Sequence, residues 1–133
     1  MKIGFACGVF DLFHLGHVLM LKDCKSNCDK LIVAINKAEN LSKDKNPPIY
    51  SIDDRVQIIA ACRYVDEVLV YNSEDELEKL LISSAIDIRF LGDDYKTKPI
   101  TGADLGIQIY YIDRSHGYST STVLKRIIDR YCK

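Results

Sequence analysis

Two histidines three residues apart stand in the run Gly8-Val9-Phe10-Asp11-Leu12-Phe13-His14-Leu15-Gly16-His17. The residues before the run predict a strand and those after it a helix, so both imidazoles stand at a helix amino terminus. There, unpaired backbone N–H groups and the helix dipole already favour an anion. Gly8 and Gly16 allow close backbone approach to it. Taken singly, His14 would cap a turn and His17 would pack on a helix face. The pairing, with glycine at both useful places, favours a phosphate site. Zinc fits less well, since it takes three or four protein ligands and Asp11 is the only carboxylate nearby.

A second polar block, Arg114-Ser115-His116-Gly117-Tyr118-Ser119-Thr120-Ser121, precedes the last predicted helix. Ser119 is a natural N-cap there, and with Thr120 and the preceding Arg114 it makes a second anion cradle. Capping alone accounts for Ser119 but not for the whole block.

The elements that must position these residues alternate. Strands are predicted over Lys2–Cys7, Asp29–Asn36, Glu67–Tyr71, Ile86–Leu91 and Ile107–Ile112. Helices are predicted over Val18–Cys28, from Ser51 to about Arg63, over Glu74–Ser83 and over Ser119–Tyr131, the last with Val123, Leu124, Ile127 and Ile128 at helical spacing. Lys37–Tyr50 is polar and holds Pro47-Pro48, which makes it a long loop. Such alternation implies an α/β fold: a doubly wound, Rossmann-like five-stranded parallel sheet with helices on both faces. Ligands of that fold bind at the carboxyl ends of the strands.

Composition bounds the function. The chain has 133 residues, 47% hydrophobic and 28% charged, which suits one folded domain over residues 1–133 and rules out a disordered tract. Its net charge of -1 offers no global field for nucleic acid or an anionic membrane. No apolar run approaches the roughly 20 residues of a membrane span. No signal peptide is visible, so a cytoplasmic location is expected. The 5 cysteines are then expected as reduced thiols. Cys24 and Cys28 share a helix face without the second pair a zinc site needs, and their spacing is not the Cys-x-x-Cys of a redox pair.

Four blocks carry a family resemblance: Gly8–His17, Arg63-Tyr64-Val65-Asp66-Glu67-Val68, Gly92-Asp93-Asp94-Tyr95, and Arg114–Ser121. In these the chain resembles the nucleotidyltransferase superfamily marked by H-x-G-H. Within it, the chain is similar to the small cytidylyltransferases typified by glycerol-3-phosphate cytidylyltransferase. The resemblance implies transfer of CMP from CTP to a phosphate monoester, sn-glycerol 3-phosphate first, giving CDP-glycerol and pyrophosphate. It implies Mg²⁺ carried on the triphosphate rather than by protein ligands, and a homodimer.

The same resemblance assigns roles. His14 and His17 would stabilise the α-phosphate with the backbone N–H groups near Val9 and Phe10, while Gly8, Asp11 and Gly16 complete the nucleotide turn. Arg114, Ser119, Thr120 and Ser121 would hold the outer phosphates. Lys43 or Lys45 would supply a phosphate-binding lysine, and Arg55 would contact the acceptor's phosphate. Gly92, Asp93 and Asp94 would lie near the base. Arg63 and Asp66 are either base contacts or an ion pair fixing a turn.

Departures point elsewhere. Lys37-Ala38 stands where many relatives carry a Ser/Thr-Asp pair, and Thr122 where they carry lysine. Tyr95-Lys96 and Pro99–Gly102 are closer to the heptose-phosphate adenylyltransferase pattern. The alternatives are adenylyl or cytidylyl transfer to a heptose phosphate, another polyol phosphate or FMN, and a module that senses CTP without turnover.

Overall fold

The computed structural model describes residues 1–39 and 46–132. Five strands, β1 (Ile3–Gly8), β2 (Lys30–Asn36), β3 (Glu67–Tyr71), β4 (Ile88–Gly92) and β5 (Gln108–Ile112), form one parallel sheet in the order β3-β2-β1-β4-β5. Four helices accompany them: α1 (Leu15–Ser26), α2 (Ile52–Ala60), α3 (Glu74–Ser83) and α4 (Thr120–Tyr131). Two 3₁₀ turns, Asp93–Thr97 and Ala103–Leu105, fill the connection between β4 and β5. This is the expected doubly wound, Rossmann-like fold.

The near-continuous apolar run of β2 follows from its place beside β1, buried on both faces. On one face Ala6, Leu21, Val33, Ile35, Ile59 and Phe90 form a core closed by α1 and α2. On the other, Phe5, Ile32, Ala34, Tyr71, Leu77 and Leu81 form a second core beneath α3. Alternate residues of one strand therefore feed different cores, and fully burying one such side chain contributes roughly 1.5–3 kcal/mol.

Helix boundaries follow their caps. α1 begins at Leu15, three residues earlier than the apolar spacing predicts, because His14 caps it. α2 stops at Ala60, short of Arg63, and β4 starts at Ile88 after Ala85 turns through a φ of 51°. The strand order reverses between β1 and β4, which leaves a crevice at their carboxyl ends, where Gly8 and Gly92 stand.

Candidate active site

The turn leaving β1 is unusual in its backbone. Phe10 and Leu12 are not glycines, yet both adopt the left-handed region, with φ of 54° and 49°. Three contacts hold the turn in this form. The Asp11 carboxylate accepts from the N–H groups of Ile49 (2.7 Å) and Tyr50 (3.0 Å). The Thr120 hydroxyl donates to the Asp11 carbonyl at 3.1 Å, tying the start of α4 to the turn. Arg55 reaches in from α2, and its Nη1 donates to the Val9 carbonyl at 3.0 Å.

The two imidazoles cap α1 reciprocally. His14 Nδ1 accepts from the Gly16 N–H at 3.0 Å, and His17 Nδ1 accepts from the His14 N–H at 3.2 Å. With both Nδ1 atoms accepting, each neutral ring carries its proton on Nε2 and keeps that donor for a ligand. The rings stack at 3.9 Å between centroids, and Phe13 stacks on His17 at 5.5 Å. Burial, then His14 and Arg114, outweigh the attraction of Asp11 and pull the His17 pKa down to about 4. Burial, followed by His116 and Arg114, lowers that of His14. His17 is therefore a neutral hydrogen-bond donor at neutral pH.

Gly16 is required by packing. A Cβ there would lie 2.7 Å from Tyr118 Cβ and 2.8 Å from His14 Cε1. This close approach brings the amino ends of α1 and α4 to one cavity of about 250 Å³. Neither helix carries an acidic residue in its first turn, whereas α2 has Asp53 and Asp54 and α3 has Glu74, Asp75 and Glu76 there. The two helix ends facing the cavity thus keep their positive potential for an anionic ligand, while the other two are neutralised by their own side chains.

Most of the expected nucleotide residues meet here. Gly8, Val9, Phe10, His14, Gly16 and His17 line the cavity from β1 and α1, and Gly92, Arg114, Ser119 and Thr120 line it from the other side. Asp93 and Asp94 lie in an adjoining groove with Arg114 and Ser119. There Asp94 meets Arg114 at 3.8 Å and Lys98 at 3.7 Å, so its charge is already countered. Ser119 accepts from the Thr122 N–H at 3.2 Å, while the Thr122 side chain accepts from the Ser119 N–H. Thr122, where relatives carry lysine, completes this capping box. Ser121 is exposed on the first turn of α4 and does not line the cavity.

Four expectations need correction. Arg55, read as an acceptor-phosphate ligand, is 2% exposed, and its guanidinium donates to the carbonyls of Val9, Asn36, Lys37 and Tyr50. It staples the loops that follow β1 and β2. Asp11 has both carboxylate oxygens on backbone N–H groups and positions the turn without facing the cavity.

Asp66 precedes β3 and so stands at the amino ends of the strands, about 16 Å of strand away from the cavity's end of the sheet. It accepts from the Leu31 N–H (2.7 Å) and pairs with Lys25 (2.5 Å), whose ammonium holds its carboxyl below the usual range. Arg63, at the same end, donates to the Tyr64 hydroxyl and covers its ring. Of the two readings for this pair, the turn contact is the one the geometry favours, although Asp66 pairs with Lys25 and not with Arg63. Lys43 and Lys45 lie outside the described residues.

Sequence reasoning missed His116, Tyr118, Tyr95 and Met20 as cavity walls. The first two were legible inside the Arg114–Ser121 block, whereas Met20 was hidden among ordinary apolar positions of α1. The Cys24 and Cys28 pair offers no rival site. Cys28 Sγ donates to the Cys24 carbonyl, and burial raises the pKa of both. Among the described residues, no group of three or more His, Cys, Asp or Glu gathers to hold a metal ion, and no helix is long and apolar enough to cross a membrane.

Comparison with known proteins places the chain in a family. The bifunctional protein HldE of Gluconacetobacter diazotrophicus is 34% identical over 96% of this chain and 27% of its own length. That of Campylobacter jejuni subsp. doylei is 36% identical over 97% of this chain and 28% of its own. The chain thus spans little more than a quarter of the length of these curated relatives. A lipopolysaccharide core biosynthesis protein from Thermoplasma volcanium superposes with a TM-score of 0.67 at 27% identity, covering 85% of this chain and 95% of that one. The family model described as cytidylyltransferase-like matches residues 5–126, and the chain is accordingly a nucleotidyltransferase of the cytidylyltransferase-like family.

Proposed function

We propose that the chain transfers an adenylyl group from ATP to a sugar phosphate of the heptose-phosphate class, releasing pyrophosphate. The observation that carries the transfer is the pair of neutral imidazoles with free Nε2–H donors, set between two helix amino ends that their own sequences leave unneutralised. The acceptor and donor choice rests on the match to HldE proteins, on the solved relative named for lipopolysaccharide core biosynthesis, and on the Tyr95-Lys96 and Pro99–Gly102 departures. These favour a sugar phosphate over the glycerol 3-phosphate and CTP that the motifs first suggested.

In this reading an oxygen of the acceptor's phosphate forms a bond to the α-phosphorus. The bond from that phosphorus to the α,β-bridging oxygen breaks, and pyrophosphate leaves with its electron pair. No protein nucleophile is needed. His14 and His17 donate to the α-phosphate oxygens as charge grows on them, and each such donor is worth about 3–4 kcal/mol. Arg114 and the amino end of α4, with Ser119 and Thr120, hold the outer phosphates that become the leaving group. Magnesium, when bound, would be carried on the triphosphate and neutralise its charge, since the Asp94 carboxylate nearby is already paired with Arg114 and Lys98. A homodimer is part of the same proposal, and Ile127 and Ile128, left exposed on α4, are apolar surface that a partner would cover.

Pyrophosphate release with each of the four NTPs, against a heptose 1-phosphate, glycerol 3-phosphate and FMN, tests the proposal. ATP with the heptose phosphate is expected to turn over fastest, and His17→Ala to lower kcat by about 10²–10³ while the circular dichroism spectrum stays unchanged. Faster turnover of CTP with glycerol 3-phosphate would overturn the substrate choice. Calorimetric binding of an NTP with no pyrophosphate from any pair would instead mark a nucleotide sensor.

A further inference from the structure

A second, larger cavity of about 540 Å³ opens over the carboxyl ends of β1 and β4 toward α3. It shares Gly8, Val9, Gly92 and Tyr95 with the first cavity, so the two meet at the crevice where the strand order reverses. Its deep wall holds Arg89, which is 4% exposed and points away from the α1 side of β4 into the α3 layer. Arg89 Nη1 donates to the Thr101 carbonyl, and the Thr101 hydroxyl donates to Glu74. The Nε of Arg89 is the one buried side-chain N or O atom among the described residues that has no hydrogen-bond partner. A buried guanidinium N–H left unpaired is unfavourable, and a ligand oxygen placed against it would supply the missing acceptor. Tyr71, Asn36 and Glu74 add donors and acceptors to the lining, and the Cys7 thiol lies beside Arg89 and Tyr71.

We propose that this cavity holds the hydroxylated carbon chain of the acceptor sugar phosphate, with Arg89 and Glu74 as its specificity-determining residues. The inference rests on the transfer reading above and adds the place and chemistry of acceptor recognition. In-line displacement puts the attacking oxygen opposite the leaving pyrophosphate. Arg114 and Ser119 hold the leaving group from the β5 and α4 side, so the acceptor approaches across Gly8 and Gly92 from the α3 side. Paired donors and acceptors suit a polyol, since each hydroxyl both donates and accepts. The Glu74 carboxylate disfavours a second phosphate there. A volume within the roughly 300–1,000 Å³ typical of small-molecule sites is ample for a seven-carbon sugar, whereas a three-carbon acceptor anchored at the shared rim would leave the Arg89 Nε without a partner.

Arg89→Met, Arg89→Lys and Glu74→Gln test the assignment by pyrophosphate release and by calorimetry with the heptose phosphate. Arg89→Met is expected to raise KM and Kd for the heptose phosphate by about 10- to 100-fold, the loss of one charge-assisted hydrogen bond. KM for ATP, and KM for glycerol 3-phosphate where it turns over, should stay within about 3-fold on the same argument. Arg89→Lys should recover part of the loss. Glu74→Gln, at an exposed helix start, gives the same selective rise in milder form and serves even where Arg89→Met is too unstable to assay. Unchanged acceptor constants in these variants, or a rise in KM for ATP instead, would overturn the inference while wild-type turnover left the transfer reading standing. Absence of pyrophosphate from the wild type with every acceptor would overturn both.

Discussion

Arg55→Met separates a ligand-binding arginine from a structural one. The wild-type guanidinium makes hydrogen bonds of 3.1, 3.0, 2.6 and 3.0 Å to the carbonyls of Tyr50, Val9, Asn36 and Lys37. Charge-assisted hydrogen bonds contribute about 1.5–3 kcal/mol each, and carbonyls near the surface regain water once the arginine is gone. Breaking the cluster should therefore cost about 3–5 kcal/mol out of the roughly 5–15 kcal/mol that hold a domain of this size. That corresponds to a melting temperature lower by about 10–20 °C. Arg55→Lys should recover little, because one ammonium cannot reach four carbonyls spread around a planar fork. Urea unfolding followed by circular dichroism gives the stability, and pyrophosphate release below the transition gives KM for the acceptor, expected within about 3-fold of wild type. A stability loss under about 1 kcal/mol together with a tenfold rise in that KM would refute the argument and return Arg55 to the substrate.

Stability should also depend on pH through His17. Its pKa falls from 6.5 to about 4 on folding, so between these values the unfolded chain binds more protons and acid destabilises the fold. The contribution is complete above pH 6.5 and is lost as pH falls toward 4. Allowing for the ring's partial contact with solvent, it amounts to about 2 kcal/mol, and His17→Gln should flatten the pH slope of urea midpoints by that amount. Equal slopes in the two proteins would contradict the burial of a neutral ring. Gly16→Ala forces a methyl group to within 2.7 Å of Tyr118 Cβ, an atom next to the backbone that cannot swing aside. It should cost about 1–3 kcal/mol and lower kcat by about tenfold or more through the displaced His14 ring. Wild-type melting and turnover would show that α1 and α4 do not need this approach.

The amino-acid order determined the alternation of elements, the parallel sheet and the gathering of His14, His17, Arg114, Ser119 and Thr120. Each of these depends on short-range signals. Apolar spacing sets the strand or helix, and chain polarity puts the end of every parallel strand on one edge of the sheet. That polarity also carries Arg63 and Asp66, which come before β3, to the opposite edge. Of the base contact and the turn contact that the sequence leaves open for them, strand direction alone favours the turn.

Only the folded chain decided the rest. Arg55 looked like a free cation against its helix dipole because its partners lie 5, 18, 19 and 46 residues away in sequence, on loops that converge only after the sheet has formed. Arg89 carries no signal in the sequence beyond its place in the predicted strand Ile86–Leu91. Its neighbours are Tyr71 and Glu74, on either side of the β3–α3 turn, and Thr101, which comes from the separate connection between β4 and β5. Local sequence encodes the direction and period of an element. Whether a long cation ends in water, on backbone carbonyls or in a cavity is set by which distant loops close over it.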